Sequence, residues 1–270
     1  MIATTRREMK MIKGTEPYQT EKVEQLQVNV YKDREEMGVS AAVEVIQKMK
    51  ELLLKQNQVR MIFASAPSQN EFLETLSKAE GIDWTRVTAF HMDEYIGLPA
   101  NSSQKFSAFI SEHLFSLVKP GKVHLIEGFD DIEEECRHYG ELLKEMPIDI
   151  VCLGIGENGH IAFNDPPVAD FNDPVLVKVV ALDDASRQQQ VNDDCFASFE
   201  EVPSSAITLT IPALLSAGHL FCIVPGSTKR EAVQRALFGP IHTDCPASIL
   251  RSHPNCTLFL DVDAYRVDSI

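Results

Sequence analysis

Short apolar runs that are continuous rather than alternating, each followed by an amphipathic stretch, constrain this chain more than any other feature. IDIVCLGI (148–155) and HLFCIVP (219–225) are the clearest of them. A strand of that kind must be covered on both faces. LQVNVY (26–31), VRMIFA (59–64), RVTAFHM (86–92), KVHLI (122–126), SAITLTI (205–211) and CTLFLD (256–261) also read as strands. Between them the spacing predicts helices over 33–54, 71–76, 106–117, 132–143 and 229–237. Strands alternating with helices imply right-handed crossovers. The expected fold class is therefore α/β: a doubly wound, mostly parallel, Rossmann-like sheet with helices on both faces. Residues 1–25 are polar and aperiodic and read as an N-terminal extension. No repeat or Pro/Gly-rich linker divides residues 26–270, which read as a single domain.

Composition narrows the partners. The net charge of −15 over 270 residues argues against nucleic acid or an acidic membrane surface. A small anion is still admissible, because helix N-termini and a few local cations can hold a phosphate in an acidic protein. Six cysteines occur with no CxxC pair, as expected of structural thiols in a reducing cytosol. No apolar leader or membrane-length run is visible, so a cytoplasmic location is expected. Assembly into a homo-oligomer stays open.

In an open parallel sheet, ligands bind beyond the carboxyl ends of the strands. Four strands here end in unusual polar text: Ser65 to Glu71, Asp93-Glu94-Tyr95, Gly156 to Asp165, and Gly226-Ser227-Thr228-Lys229. Ser68 with Glu71, and Thr228 with Glu231, fit capping boxes that would start two helices. Helix starts offer free N–H groups to an anion, and Lys229 would add a full charge. Asp93 and Glu94 stand at the mouth of an apolar strand, where desolvation makes a carboxylate a usable base. His160 lies in a glycine-rich turn; Gly159 would let backbone approach a ligand, and Asn164 or Asp165 could orient the ring. Singly, each reads as an ordinary turn or cap; four on one sheet edge read as an active site.

At these residues the chain resembles the glucosamine-6-phosphate deaminase/isomerase family. The matching text runs from Phe90 to Pro99 (FHMDEYIGLP) and from Gly154 to Pro166 (GIGENGHIAFNDP), with support from Leu209-Thr210-Ile211 and Gly226 to Lys229. The resemblance implies a Rossmann-like sheet, no cofactor, no metal and a sugar phosphate as the small-molecule partner. It implies that Asp93 moves a proton between C2 and C1 of an opened amino sugar. His160 would assist ring opening, with Asn158 and Asp165 orienting it. Lys229 and the Ser68–Gln69 amides would hold the 6-phosphate, with Glu94 and Gly159 also against the substrate. The family pattern Thr-Gly-Gly-Thr-Pro is replaced here by Ala66 to Asn70. An arginine of the family is missing from Asn192 to Phe196, and Arg187 is its nearest replacement. Two rival readings are a 6-phosphogluconolactonase-type hydrolase and a non-catalytic sugar-phosphate sensor. Tyr95 and Ile161 to Asn164 point away from the first, and a paired Asp93 and His160 from the second.

Overall fold

Residues 13–128 and 131–265 are described by the computed structural model; the first twelve residues of the expected N-terminal extension lie outside them. The chain opens with β1 (Gln19–Val23), β2 (Leu26–Tyr31), α1 (Arg34–Lys55), β3 (Val59–Phe63), α2 (Asn70–Ser77), β4 (Val87–His91) and β5 (Asp93–Tyr95). Then come α3 (Phe106–Ile110), a π turn at Ser111–Phe115, α4 (Ser116–Val118), β6 (Lys122–His124), α5 (Ile132–Lys144) and β7 (Ile150–Leu153). It closes through β8 (Val177–Ala181), α6 (Asp184–Asn192), β9 (Ser205–Leu209), α7 (Ile211–Leu215), β10 (His219–Val224), α8 (Arg230–Phe238), β11 (Cys256–Asp261) and α9 (Val262–Tyr265).

Among the described residues, eight strands form the main sheet in the order β1-β2-β11-β10-β7-β3-β4-β6. All neighbours pair in parallel except β1, which lies antiparallel along β2 at the edge. The continuous apolar runs work as their pattern demands. On one face Met61, Phe63, Ile150, Cys152, Phe221, Ile223 and Phe259 pack against Met37, Ala41, Val45 and Met49 of α1 and Phe72 and Leu76 of α2. On the other, Ile62, Val151, Leu153, Leu220, Cys222, Leu258 and Leu260 pack with Tyr139 of α5, Leu214 of α7 and Val233 of α8. Side chains alternate across a strand, so residues next to each other in sequence serve two different cores. α1 begins where Asp33 accepts the Glu36 N–H at 2.9 Å, a conventional N-cap.

Two sequence expectations need correction. The SAITLTI strand does not join the main sheet. It becomes β9, the centre of a second, three-stranded antiparallel sheet β5-β9-β8, roofing a third apolar cluster around Tyr95, Phe106, Phe163 and Phe196. Nor do the expected capping boxes form. The chain enters α2 and α8 through tight turns, Pro67–Gln69 and Ser227–Lys229, whose caps are Ala66 and Gly226 without side-chain bonds. Glu71 is engaged instead by Arg34 at 2.7 and 2.9 Å.

The fold places the site. β3, β4 and β6 step outward in one direction, and β7, β10 and β11 in the other. The reversal between β3 and β7 opens a crevice beyond their carboxyl ends.

Candidate active site

The crevice is an open cleft of about 510 Å³, its mouth included. Ser65, Ser68 and Gln69 reach it from the end of β3, Asp93 from β5, and Gly154, Gly156 and His160 from beyond β7. Lys229 enters after β10, Gln189 and Gln190 from α6, and Phe106 and Phe163 line its apolar side.

Lys229 gives the cleft its charge. Gly226 turns the chain at φ 93°, a conformation suited to glycine, and its N–H is accepted by Asp261 at 3.0 Å. Lys229 is left 5% exposed, and its Nζ has no hydrogen-bond partner among the described residues. Burial lowers its pKa, opposed by Asp193 and Glu157. An unsatisfied buried polar group costs about 1–3 kcal/mol, and more when charged. Ser65 Oγ and Gln69 Oε1 are likewise buried without partners, while Gln69 Nε2 donates to the Ile223 carbonyl at 3.1 Å and holds that side chain across the cleft floor. A bound anion with hydroxyl groups would relieve this deficit.

Asp93 is buried, and among the described residues its carboxylate accepts no hydrogen bond. Burial, then the neighbouring Glu94, raises its pKa well above the ordinary range. Once ionised, it is a stronger base than an exposed aspartate.

His160 rests on Gly156 because nothing larger fits beneath it: a Cβ there would lie 2.1 to 2.3 Å from three ring atoms. Around Nδ1 gather Ser186 Oγ at 2.8 Å, Asn158 Oδ1 at 2.9 Å and Asp165 Oδ1 at 3.0 Å. Asn158 Oδ1 also accepts the His160 backbone N–H at 3.0 Å, while its Nδ2 donates to Asp165 at 3.0 Å. Amide and carboxylate oxygens accept only, so Nδ1 carries a proton, and in the neutral ring Nε2 carries the lone pair. Burial works against the charge of Asp165, but bonds from His160, Asn158 and Ser186 outweigh it and hold the carboxyl at about 2.

The sequence-selected residues therefore divide. Asp93, His160, Lys229, Ser68 and Gln69 line the cleft; Asn158 and Asp165 stand behind the histidine. Asn164 is elsewhere: its Nδ2 donates to the carbonyls of Ile161 and Leu209. Three assignments to the substrate are corrected. Glu94 faces away, its carboxylate accepting the N–H groups of Tyr95, Phe106 and Ser107 at 3.0, 3.1 and 2.9 Å. Gly159, at φ 92°, makes the turn and packs on Cys245 rather than lining the cleft. Arg187 points the other way, its guanidinium 4.0 Å from the Phe199 ring centroid and bonded to the carbonyls of Phe199 and Val202 at 3.0 and 2.8 Å. The sequence reading missed Ser186, Gln189 and Gln190. A signal existed: Ser186, Gln189 and Gln190 are buried at i, i+3 and i+4 of α6, one polar stripe on a helix nearly empty of apolar residues.

Among the described residues no helix is long and apolar enough to cross a membrane. Residues 32–259 match the family described as glucosamine-6-phosphate isomerases/6-phosphogluconolactonase. The chain is 38% identical over 200 residues to glucosamine-6-phosphate deaminase 1 of Giardia intestinalis, covering 72% of this chain and 73% of the relative. It is also 38% identical over 184 residues to glucosamine-6-phosphate deaminase of Bacillus cereus (strain B4264), covering 68% of each. The structure of a monomeric glucosamine-6-phosphate deaminase superposes with a TM-score of 0.80 at 30% identity, over 88% of this chain and 98% of that one. A 6-phosphogluconolactonase from Thermotoga maritima reaches 0.72 at 22% identity, over 87% and 99%, which speaks to fold alone.

Proposed function

Because the chain belongs to the family of glucosamine-6-phosphate isomerases and 6-phosphogluconolactonases, we propose that it is an enzyme converting an amino-sugar 6-phosphate to a ketose 6-phosphate and ammonia. Glucosamine 6-phosphate is the first candidate substrate, and galactosamine 6-phosphate the second. One observation carries the reading: among the described residues, a buried ammonium without a hydrogen-bond partner, a buried carboxyl that accepts no hydrogen bond and a histidine held at Nδ1 meet in one cleft. A phosphate fits the first, proton transfer at carbon the second, and proton exchange with a ring oxygen the third.

In this mechanism Lys229 and the amides of the turn at Ser68 and Gln69 hold the 6-phosphate. His160 takes the C1 hydroxyl proton at Nε2 and gives it to the ring oxygen as the C1–O bond of the ring breaks, opening the sugar to its C1 aldehyde. Asp93 then removes the C2 proton and returns it to C1, while the aldehyde oxygen gains the proton that the amine nitrogen gives up, leaving a C1 hydroxyl and an imine at C2. Water adds there and ammonia leaves, so the net bond broken is C–N and the enzyme is formally a hydrolase. No step is assigned to a metal. Six free cysteines suit the cytoplasmic location proposed for it.

The test is a panel of glucosamine 6-phosphate, galactosamine 6-phosphate and 6-phosphogluconolactone. Ammonia with a ketose 6-phosphate is the expected result. Lactone hydrolysis without ammonia would make the protein a lactonase, and inertness toward all three would make it a sensor.

A further inference from the structure

Ser186 belongs to no motif, yet it sits where the proposed chemistry needs most order. It lies in the first turn of α6, one residue from Arg187, and is 1% exposed. Its Oγ is 2.8 Å from His160 Nδ1 and also bonds Asp165 Oδ1. The other Asp165 oxygen accepts the N–H of Asp183, the residue that caps α6, at 3.2 Å. The helix start is thus tied to the carboxylate twice, once through backbone and once through the hydroxyl.

We infer that Ser186 is a positioning residue for the reaction. Its hydroxyl donates to Asp165 and accepts from His160 Nδ1–H, fixing the orientation of the imidazole that leaves Nε2 toward the cleft. A hydroxyl can do both at once, which neither the carboxylate nor the Asn158 carbonyl can. Without it, Asp165 Oδ1 loses a donor and Nδ1 loses an acceptor. At 1% exposure, bulk water does not restore either. Asn158 Oδ1 and Asp165 Oδ1 still accept from Nδ1, so the tautomer persists, but the ring is free to turn on those two contacts.

The inference rests on His160 acting at the ring oxygen, but its first readout is independent of any activity. Side-chain ¹⁵N–¹H spectra of the full chain report the His160 Nδ1–H and its hydrogen bonding directly. The native protein and Ser186→Thr should show the same protected Nδ1–H signal, and Ser186→Ala one that is shifted and exchanges faster with solvent. In turnover, Ser186→Ala should lose about tenfold to a hundredfold in kcat, as small misplacements of a reacting group do. KM should move by no more than about threefold, since substrate contacts are untouched, and Ser186→Thr should restore kcat. Should the alanine protein fail to fold, Ser186→Cys keeps the volume with a poor hydrogen-bonding group and takes its place. A native Nδ1–H signal in the folded alanine or cysteine protein would overturn the inference, whatever the substrate proves to be. So would a kcat loss that threonine does not recover. An undisturbed kcat with an altered Nδ1–H signal would equally remove Ser186 from the reaction.

Discussion

Replacing Gly156 by alanine should disable His160 without unfolding the protein. The φ of Gly156 is not in the left-handed region, so alanine is compatible with the backbone and even trims the freedom of the unfolded chain. The obstacle is the ring. A new Cβ would lie 2.1 Å from His160 Cε1, 2.2 Å from Nε2 and 2.3 Å from Nδ1, where ordinary contact begins at 3.4 Å. The imidazole must retreat by roughly 1 Å, and a misplacement of that size costs on the order of 10²-fold in rate. Its contacts at 2.8 to 3.0 Å to Ser186, Asn158 and Asp165 cannot all survive such a shift. Steady-state ammonia release should therefore show kcat down about a hundredfold with KM little changed. Thermal unfolding should stay cooperative. A kcat for Gly156→Ala within about threefold of native would mean that the ring's position on this glycine does not govern turnover.

Lys229→Met should sharply raise KM for a phosphorylated sugar while raising stability by on the order of 1 kcal/mol, since it removes an unpartnered buried charge. Inorganic phosphate should raise Tm for the native protein and not for the variant; equal shifts in both would place the anion elsewhere. Arg187→Ala should leave KM for the sugar phosphate unchanged and lower Tm, because its partners are Phe199 and the Val202 carbonyl; a large KM effect would reinstate it at the phosphate. Asp165, held at about 2 against an ordinary 3.8, contributes stability that is present above pH 3.8 and lost as pH falls through about 2. That contribution is on the order of 2 kcal/mol. Urea unfolding between pH 2 and 4 should thus fall less steeply for Asp165→Asn; parallel curves would contradict the shift.

Strands buried on both faces announce themselves, because continuous apolar runs have no other use in a chain of this charge; β3, β7, β10 and β11 were legible for that reason. β5 was not, being three residues that follow β4 after Met92 alone. β8 alternates with exposed positions and carries no such run. The glycine-rich turn around His160 could be read because Gly156 and Gly159 each answer a steric demand. The charge-bearing side of the cleft was harder. Arg187 was chosen for nearness in sequence, whereas a helix sends adjacent residues about 100° apart, so Ser186 and Gln190 face the site and Arg187 does not. The capping boxes failed because proline at 67 and glycine at 226 enter tight turns before the helices begin.

The most direct test of the proton path is turnover of the amino-sugar 6-phosphate in D₂O, with NMR of the ketose 6-phosphate formed. Asp93 lifts a proton from C2 and delivers one to C1, and a carboxyl exchanging with solvent between those steps leaves deuterium at C1. The expected result is ammonia released in step with ketose, deuterium at C1, and both lost by about 10²–10⁴-fold in Asp93→Asn. Ammonia released at an undiminished rate by Asp93→Asn, with no label at C1, would contradict it.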